Sequence, residues 1–305
     1  MDSAITLFHQ IIKMFLMMAA GYYFRKKGTI NDDTTSRLSS ILLMAATPCT
    51  LITSFNQEYS SQKLAGLMIA LGLSFLIYLL NIAMASILCK KQDGMGKFCL
   101  IFSNAGFLGI PLVTGLLGIE MVFYLSPFIS CFYLFVWTVG VVLMSGDRKT
   151  VTFAKIITNP CIWATAAGIV VFLLPFKLPS AIMEAVAMVG NMNSPLAMII
   201  LGSYMAKTNL FDMFRDRRAY VISFFRLMLL PGLALIPLSF TPARYSQIAM
   251  IILIGASAPV GALAPVFAQM FHKDTDEGAQ IVSLSTILCV ITMPLMIVLW
   301  EAMAV

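Results

Sequence analysis

The chain has 305 residues, of which 60% are hydrophobic and only 11% are charged. Because soluble domains carry about 25% charged residues, this composition excludes an ordinary water-soluble protein and predicts an all-α integral membrane protein. The formal net charge of +6 resides in Lys and Arg residues grouped in short loops, which indicates membrane orientation and no nucleic-acid partner.

Apolar runs of roughly 20 residues, the length needed to cross about 30 Å of hydrocarbon, recur ten times along the chain. The first run precedes its basic residues, which is typical of a retained span and not of a cleaved signal peptide. We number these predicted transmembrane segments spans 1 to 10. They cover residues 5–24, 38–55, 64–88, 98–117, 121–143, 158–175, 179–205, 219–240, 246–271 and 279–300.

Lys and Arg residues are concentrated in the connections that follow the odd-numbered spans. Those connections hold fifteen of them, and the opposite connections hold three. The positive-inside rule therefore predicts a multi-pass protein of the plasma or inner membrane with both termini outside the cell. The fifteen are Arg25, Lys26, Lys27, Arg37, Lys90, Lys91, Lys97, Arg148, Lys149, Lys155, Lys207, Arg215, Arg217, Arg218 and Lys273, and the three are Lys63, Lys177 and Arg244.

The chain divides into two halves with equal numbers of spans. Residues 1–150 and residues 151–305 each hold five predicted spans. An odd number of spans per half places the second half in the opposite membrane orientation, so that any structural repeat is inverted. We therefore predict two five-span repeats.

Prolines mark matching positions in the two halves. Pro48 in span 2 and Pro111 in span 4 are 63 residues apart, while Pro195 in span 7 and Pro259 in span 9 are 64 apart. Spans 2 and 4 thus pair with spans 7 and 9. A second pairing matches Pro111 with Pro265, because Asn104 and Pro111 are seven residues apart, as are Ala258 and Pro265, and the sequence leaves both pairings open.

Spans 4 and 9 are predicted to be broken helices. Proline lacks an N–H and clashes with the carbonyl four residues back, so Pro111 interrupts span 4 near Phe107, while span 9 holds Pro259 and Pro265. Lipid cannot form hydrogen bonds with the freed backbone groups. Such breaks are therefore tolerated only where protein buries them or where they line a water-filled cavity. Two breaks in inverted halves predict a substrate site at the membrane midplane. The alternative is that these residues only kink helices or allow close packing.

Polar residues beside the breaks are the first candidate ligands. The amide of Asn104 can both donate and accept hydrogen bonds, although an interhelical hydrogen bond is the alternative role. Asn191 and Asn193 lie near the bend predicted in span 7. The further residues predicted to form the substrate site are Ser103, Gly109, Pro111, Ser257, Pro259, Pro265, Lys13 and Arg226.

Lys13 and Arg226 are the two basic residues with apolar neighbours on both sides. Charges inside a membrane are costly and are kept for function or pairing. Lys13 is therefore a candidate partner for a bound anion or for another side chain. Arg226 lies about seven residues inside span 8, so it could snorkel to the headgroups, contact a helix end or bind substrate.

Four stretches of the sequence together resemble the auxin efflux carrier family of membrane transporters. The resemblance covers nearly the whole chain. It implies that the broken spans 4 and 9 cross, that spans 1, 2, 6 and 7 form a scaffold, and that spans 3–5 and 8–10 form a transport domain. The stretches are NAGFLGIPL (104–112), TNPCIWATAAGIVV (158–171), NMNSPLAMIILGSYMA (191–206) and STILCVITMPLMI (285–297).

The same resemblance implies a substrate class and an assembly. Plant members carry a long central cytoplasmic loop, whereas this chain has only MSGDRKTVTFAK at residues 144–155. That short loop resembles bacterial members, whose substrates are small carboxylates such as malonate or malate, beside the auxin-like acids of the family. The resemblance also implies a homodimer formed through the scaffold.

Few acidic residues lie within the spans. No Asp falls inside one, and Glu184 is the one Glu that lies well within. The usual relay of buried carboxylates for proton coupling is therefore missing, which favours transport driven by the anion's own gradient and the membrane potential. Sodium coupling through hydroxyls such as Ser103, Thr114 and Ser257 is the second hypothesis.

Other function classes are less consistent with the sequence. His9 and His272 are its two histidines, and no HExxH motif occurs, which disfavours an intramembrane protease. We predict no cofactor and no resident metal. A channel or a nonconducting receptor built around the same broken helices stays an open alternative.

Overall fold

The computed structural model describes residues 2–151, 158–174, 179–208 and 210–303, and these ranges are helical almost throughout. Seven helices within them are long and apolar enough to cross a membrane, and shorter apolar helices accompany them. The prediction of an all-α integral membrane protein is confirmed. The count of ten crossings and the inverted repeat stay predictions. Lys155 and Lys177 lie outside the described residues.

The predicted spans coincide with helices or pairs of helices. Span 4 is divided into two helices, and so is span 9, as the prolines predict. Counting short π and 3₁₀ turns with the helices that contain them, the helices are α1 Asp2–Lys26, α2 Asp32–Phe55, α3 Ser61–Leu88, α4 Gly94–Ile101, α5 Ala105–Leu117, α6 Ile119–Ser145, α7 Pro160–Leu173, α8 Ser180–Lys207, α9 Leu210–Arg215, α10 Arg217–Ser239, α11 Ser246–Ser257, α12 Leu263–Met270 and α13 Thr275–Met303.

Side-chain caps fix several helix starts in the loops. Asn31 accepts a hydrogen bond from the Thr34 N–H at the start of α2, and Asp93 accepts one from the Gly96 N–H at the start of α4. Asn159 caps α7 in the same way. Each cap satisfies a backbone donor that a helix start leaves free. The loops between spans are therefore ordered by local polar residues.

Three π-helical turns are each followed by a proline. They span Leu42–Ala46, Ala105–Gly109 and Phe225–Leu229, and Pro48, Pro111 and Pro231 lie two residues beyond their ends. A wider turn moves away the carbonyl that a proline ring would otherwise strike. The three turns carry Leu43, Asn104 at the N-cap, and Arg226.

Helix α1 packs closely along α8. A side chain at Gly21 would strike the Ile199 backbone, and one at Gly202 would strike the carbonyl of Met18. Helix α2 packs on both α7 and α8. These four helices correspond to spans 1, 2, 6 and 7, whose role as a scaffold stays a prediction.

The broken helices lie inside the protein and not against lipid. Every residue from 95 to 105 is buried, and so is every residue from 251 to 262. Helices α3, α6, α10 and α13 pack around them. The breaks leave backbone groups without hydrogen-bond partners in a helix. Lipid cannot supply those partners, so the breaks have to be buried in protein.

Candidate binding site at the helix crossing

The two helix breaks pair with each other through their backbones. The N–H of Asn104 donates to the carbonyl of Pro259 at 2.8 Å, and the N–H of Gly261 donates to the carbonyl of Phe102 at 2.8 Å. Ser103 and Val260 form an isolated antiparallel bridge between them. The bridge satisfies groups that the breaks release, and it fixes the two half-helix pairs at one crossing point.

Arg226 occupies the side of the crossing where α4 and α11 end. Its side chain is fully buried and donates to three backbone carbonyls, those of Leu100 at 2.9 Å, Ala258 at 3.2 Å and Ala256. The C-terminal end of a helix carries partial negative charge, which a guanidinium neutralises. The interpretation that Arg226 snorkels to the headgroups is therefore wrong, because its donors all face inward.

The opposite side of the crossing is where α5 and α12 begin. The first N–H groups of a helix have no carbonyl partner within the helix and carry partial positive charge. Helix α5 starts at Ala105 and α12 at Leu263, directly after the paired breaks. Since Arg226 already neutralises the carbonyl side, the crossing keeps a positive side formed by two helix starts.

A small cavity lies at this positive side. Its volume of about 20 Å³ has room for about one water molecule. The side-chain amide nitrogen of Asn104 is buried and has no hydrogen-bond partner among the described residues. The Ser103 hydroxyl lies beside the Tyr78 hydroxyl, but neither hydroxyl has a hydrogen-bond partner among the described residues. We call this space the crossing cavity, and its lining residues are Leu43, Ser103, Asn104, Gly106, Phe107, Ile129, Phe132, Tyr133, Ala262 and Leu263.

A larger space, the vestibule, connects the crossing cavity with one face of the protein. It has a volume of about 440 Å³ and shares Leu43, Phe107, Ala262 and Leu263 with the crossing cavity. Hydroxyl and amide side chains, including Ser36, Ser39, Ser40, Tyr204 and Gln269, line much of the rest. A polar solute can therefore approach the crossing from this face.

Two charged side chains line the outer part of the vestibule. Asp32 pairs with Arg25 at 2.9 Å and with Lys207 at 3.3 Å. The Asp32 side chain is 69% exposed. The three residues join the end of α1, the start of α2 and the end of α8, so this ion cluster stabilises the vestibule entrance on the scaffold helices.

The structure places the other residues predicted in spans 4 and 9 around the crossing. Gly109 and Pro111 are buried in α5, and Pro259 lies in the second break, where its carbonyl binds Asn104. Pro265 lies in α12 and lines the vestibule. Ser257 ends α11, and its buried hydroxyl has no partner in the described part of the chain. Pro111 and Pro265 thus both lie beyond their break, whereas Pro259 lies within one.

Three predicted residues lie away from the crossing cavity. The Asn193 amide is buried and donates to the Thr47 hydroxyl at 2.8 Å, joining α8 to α2. Asn191 is exposed at the bend of α8, and Lys13 is exposed on the outer face of α1. The structure does not bring Asn191, Asn193 or Lys13 together with Asn104.

Several cavity residues are not indicated by the sequence. Leu43, Phe107, Phe132 and Tyr133 resemble any apolar or aromatic residue of a membrane span, so nothing marks them as lining a cavity. One sequence feature does indicate the vestibule. The segment TTSRLSS at residues 34–40 is rich in hydroxyl groups and is unusually polar for the start of a span.

Comparison with known proteins agrees with a membrane transport role. Residues 6–297 match the family described as membrane transport protein. The chain is 24% identical to an uncharacterized transporter of Methanothermobacter thermautotrophicus, over 93% of this chain and 95% of that protein. It is also 24% identical to an uncharacterized transporter of Methanocaldococcus jannaschii, over 90% of this chain and 93% of that protein.

Proposed function

The chain belongs to the auxin efflux carrier family of membrane transport proteins, and we propose that it is a secondary transporter of small organic anions. The proposed binding site is the positive side of the helix crossing, where a carboxylate oxygen fits the water-sized crossing cavity and the rest of the acid lies in the adjoining vestibule. Substrate enters it through the vestibule and leaves on the other side of the membrane after a change of conformation.

The observation that carries this proposal is the electrostatic asymmetry of the crossing. Arg226 binds the carbonyls at the ends of α4 and α11, whereas residues at the starts of α5 and α12, where a helix carries partial positive charge, line the cavity. The unpartnered amide nitrogen of Asn104 adds a side-chain donor there. A carboxylate accepts hydrogen bonds only, so it matches this set of donors.

The vestibule supports transport by alternating access. It is lined by Asp32 and Lys207, which belong to connections that carry the excess of Lys and Arg. The positive-inside rule supports a cytoplasmic location for this face, and with it an inward-open state in which both termini lie outside a plasma or inner membrane. Movement of spans 3–5 and 8–10 against a dimeric scaffold of spans 1, 2, 6 and 7 would expose the crossing to the other side.

The geometry favours an anion uniporter over the sodium-coupled alternative. Carbonyls freed at helix ends are natural ligands for Na⁺. Here those of Leu100, Ala256 and Ala258 are bound to Arg226, whose permanent charge repels a cation. The hydroxyls of Ser103, Thr114 and Ser257, which have no hydrogen-bond partner among the described residues, are the remaining candidates for a sodium ligand.

Counterflow in liposomes tests the proposed function. Purified protein is reconstituted into vesicles loaded with an unlabelled organic acid, and the uptake of the same radiolabelled acid is followed. We expect transient accumulation of label in loaded vesicles only, with the same rate in sodium and potassium buffers. Equilibration without accumulation would indicate a channel, binding without flux a receptor, and a requirement for sodium the coupled alternative.

A further inference from the structure

We propose that the rings of Phe55, Phe123 and Phe172 form a latch that keeps the protein closed on its extracytoplasmic side. This inference rests on the proposed function and adds to it the contact that stabilises the inward-open state. It comes from a group of aromatic side chains at the end of the protein opposite the vestibule. We call these three side chains the aromatic latch.

The aromatic latch and the vestibule lie at opposite ends of α2. Phe55 is the last residue of α2, whose first residue, Asp32, lines the vestibule. A helix of 24 residues is about 36 Å long, which is enough to cross the hydrocarbon core. The connection that follows Phe55 belongs to the group with few Lys and Arg residues. The positive-inside rule therefore supports an extracytoplasmic location for the latch.

The ring of Phe123 packs between the other two rings. Its centroid is 4.8 Å from that of Phe55, edge to face, and 4.9 Å from that of Phe172. Aromatic pairs at such distances attract each other beyond the gain from burial. Together with Leu67, the three side chains form a buried cluster that is separate from the main hydrophobic core. The latch is therefore a local contact, and its loss leaves the main core in place.

The three rings belong to both bodies of the proposed transporter. Phe55 is on α2 and Phe172 is on α7, which are predicted scaffold helices, whereas Phe123 is on α6, in the predicted transport domain. Ile129 lines the crossing cavity from the same α6 helix, about 9 Å along its axis from Phe123. A movement of the transport domain that opens the crossing to the extracytoplasmic side therefore has to withdraw Phe123 from between Phe55 and Phe172.

Two contacts around the rings fit a boundary that closes and opens. Gly168 on α7 leaves room for the Phe55 ring, because a side chain there would lie 2.5 Å from its Cδ2. Beside the rings, the side-chain amide of Gln57 donates to the carbonyl of Glu120 at 2.8 Å and so joins the loop after α2 to α6. Ring packing and this polar contact can separate in a rigid-body movement without unfolding a helix.

Sided labelling of a cysteine in the crossing cavity tests the latch. Gly106→Cys in this cavity and Ser36→Cys in the vestibule are made in the full chain after replacement of the six native cysteines. A membrane-impermeant thiol reagent is applied to intact cells and, separately, to inverted membrane vesicles. Labelling of Ser36→Cys identifies the vestibule side, and we expect Gly106→Cys to be labelled mainly from that side. Equal labelling of Gly106→Cys from both sides would contradict the inward-open state and the latch together.

Phe123→Ala should expose the cavity to the other side. Its ring contacts stabilise only the closed arrangement, so labelling of Gly106→Cys from the side opposite the vestibule should rise roughly 5- to 150-fold. Phe98→Ala is the matched control. Phe98 is equally buried, but its ring packs on Phe102 and Phe267, which belong to spans 4 and 9 of one body. The control should leave sided labelling unchanged, and an equal rise in it would contradict a specific role of the latch.

Gly168→Ala provides a second variant that keeps all three rings. Its methyl group displaces Phe55, so it should raise labelling from the side opposite the vestibule as Phe123→Ala does. Gly72→Ala is its control, because a methyl group there meets nothing within 4 Å. Unchanged sided labelling in correctly folded Phe123→Ala and Gly168→Ala would overturn the latch. Counterflow by the unsubstituted protein would then still support the proposed transport.

Discussion

Asn104 faces the crossing cavity from one broken helix while its backbone N–H is held at 2.8 Å by the carbonyl of Pro259 in the other. The proposed donor for a bound anion is therefore positioned jointly by both halves of the chain. The two backbone hydrogen bonds between the breaks link α4 and α5 to α11 and α12. This linkage suits a site that moves as one body.

Asn104→Ala should weaken substrate binding without unfolding the protein. A hydrogen bond to a charged partner contributes about 1.5–3 kcal/mol, so affinity should fall roughly 10- to 150-fold unless water replaces the amide. Calorimetry on purified protein measures this loss. Asn191→Ala is the control, because Asn191 is exposed at the bend of α8 and should keep normal affinity. Equal affinities for the two variants would exclude Asn104 from the site.

Arg226→Ala should destabilise the protein strongly. The change leaves the buried carbonyls of Leu100, Ala256 and Ala258 without their donor, and each buried acceptor left unpaired costs about 1–3 kcal/mol. Arg226→Lys should be intermediate, since one ammonium cannot match the planar spread of a guanidinium. Thermal unfolding in detergent measures both, with the exposed Arg217→Ala as control. If Arg226→Ala unfolded at the control's temperature, the structural role of Arg226 would be refuted.

Gly202→Ala should destabilise the contact between α1 and α8. The added methyl group would strike the carbonyl of Met18, so the two helices must separate, at a cost of about 1–3 kcal/mol. Gly72→Ala in α3 is the matched control, because a methyl group there meets nothing within 4 Å. Thermal unfolding should therefore shift downward for Gly202→Ala alone. A stable Gly202→Ala protein would mean that α1 and α8 do not pack this closely.

Lys13→Ala should have little effect on transport. Lys13 is exposed on the outer face of α1, away from the crossing cavity, so its loss removes no contact with a bound anion. Initial uptake rates in proteoliposomes should remain within about twofold of the unsubstituted protein, since surface changes usually alter free energies by about 0.5 kcal/mol or less. Loss of uptake at normal protein yield would show that Lys13 takes part in the transport cycle.

The sequence predicts the breaks well because their cause is local. Pro111, Pro259 and Pro265 each disfavour a continuous helix because proline lacks an N–H and clashes with the carbonyl four residues back, and the burial of a break in a membrane protein follows from its unpaired backbone. Asn104 could be proposed as a ligand from local sequence as well, since it is a polar residue next to a break. These inferences required no knowledge of distant contacts.

The remaining features depend on contacts between distant parts of the chain. The carbonyls that bind Arg226 lie 126, 32 and 30 residues away, and the sequence could not show that three of them converge on one guanidinium. The crossing cavity joins Leu43 with residues of α5 and α12, and apolar residues carry no mark of the surface they line. Asn191 and Asn193 were indistinguishable in sequence, although one is exposed and the other is bonded to Thr47.

Substrate protection of a cysteine in the crossing cavity measures directly whether an organic acid binds at the helix crossing. Gly106 lines this cavity, and a side chain there meets nothing within 4 Å, so Gly106→Cys should fold normally. The six native cysteines are first replaced, and Ser36→Cys in the vestibule serves as control. Labelling of the detergent-solubilised protein by a small thiol reagent is followed with and without the organic acid that shows counterflow in liposomes. We predict that saturating acid slows labelling of Gly106→Cys and leaves Ser36→Cys unaffected. Equal labelling rates of Gly106→Cys with and without the acid would contradict a binding site at the helix crossing.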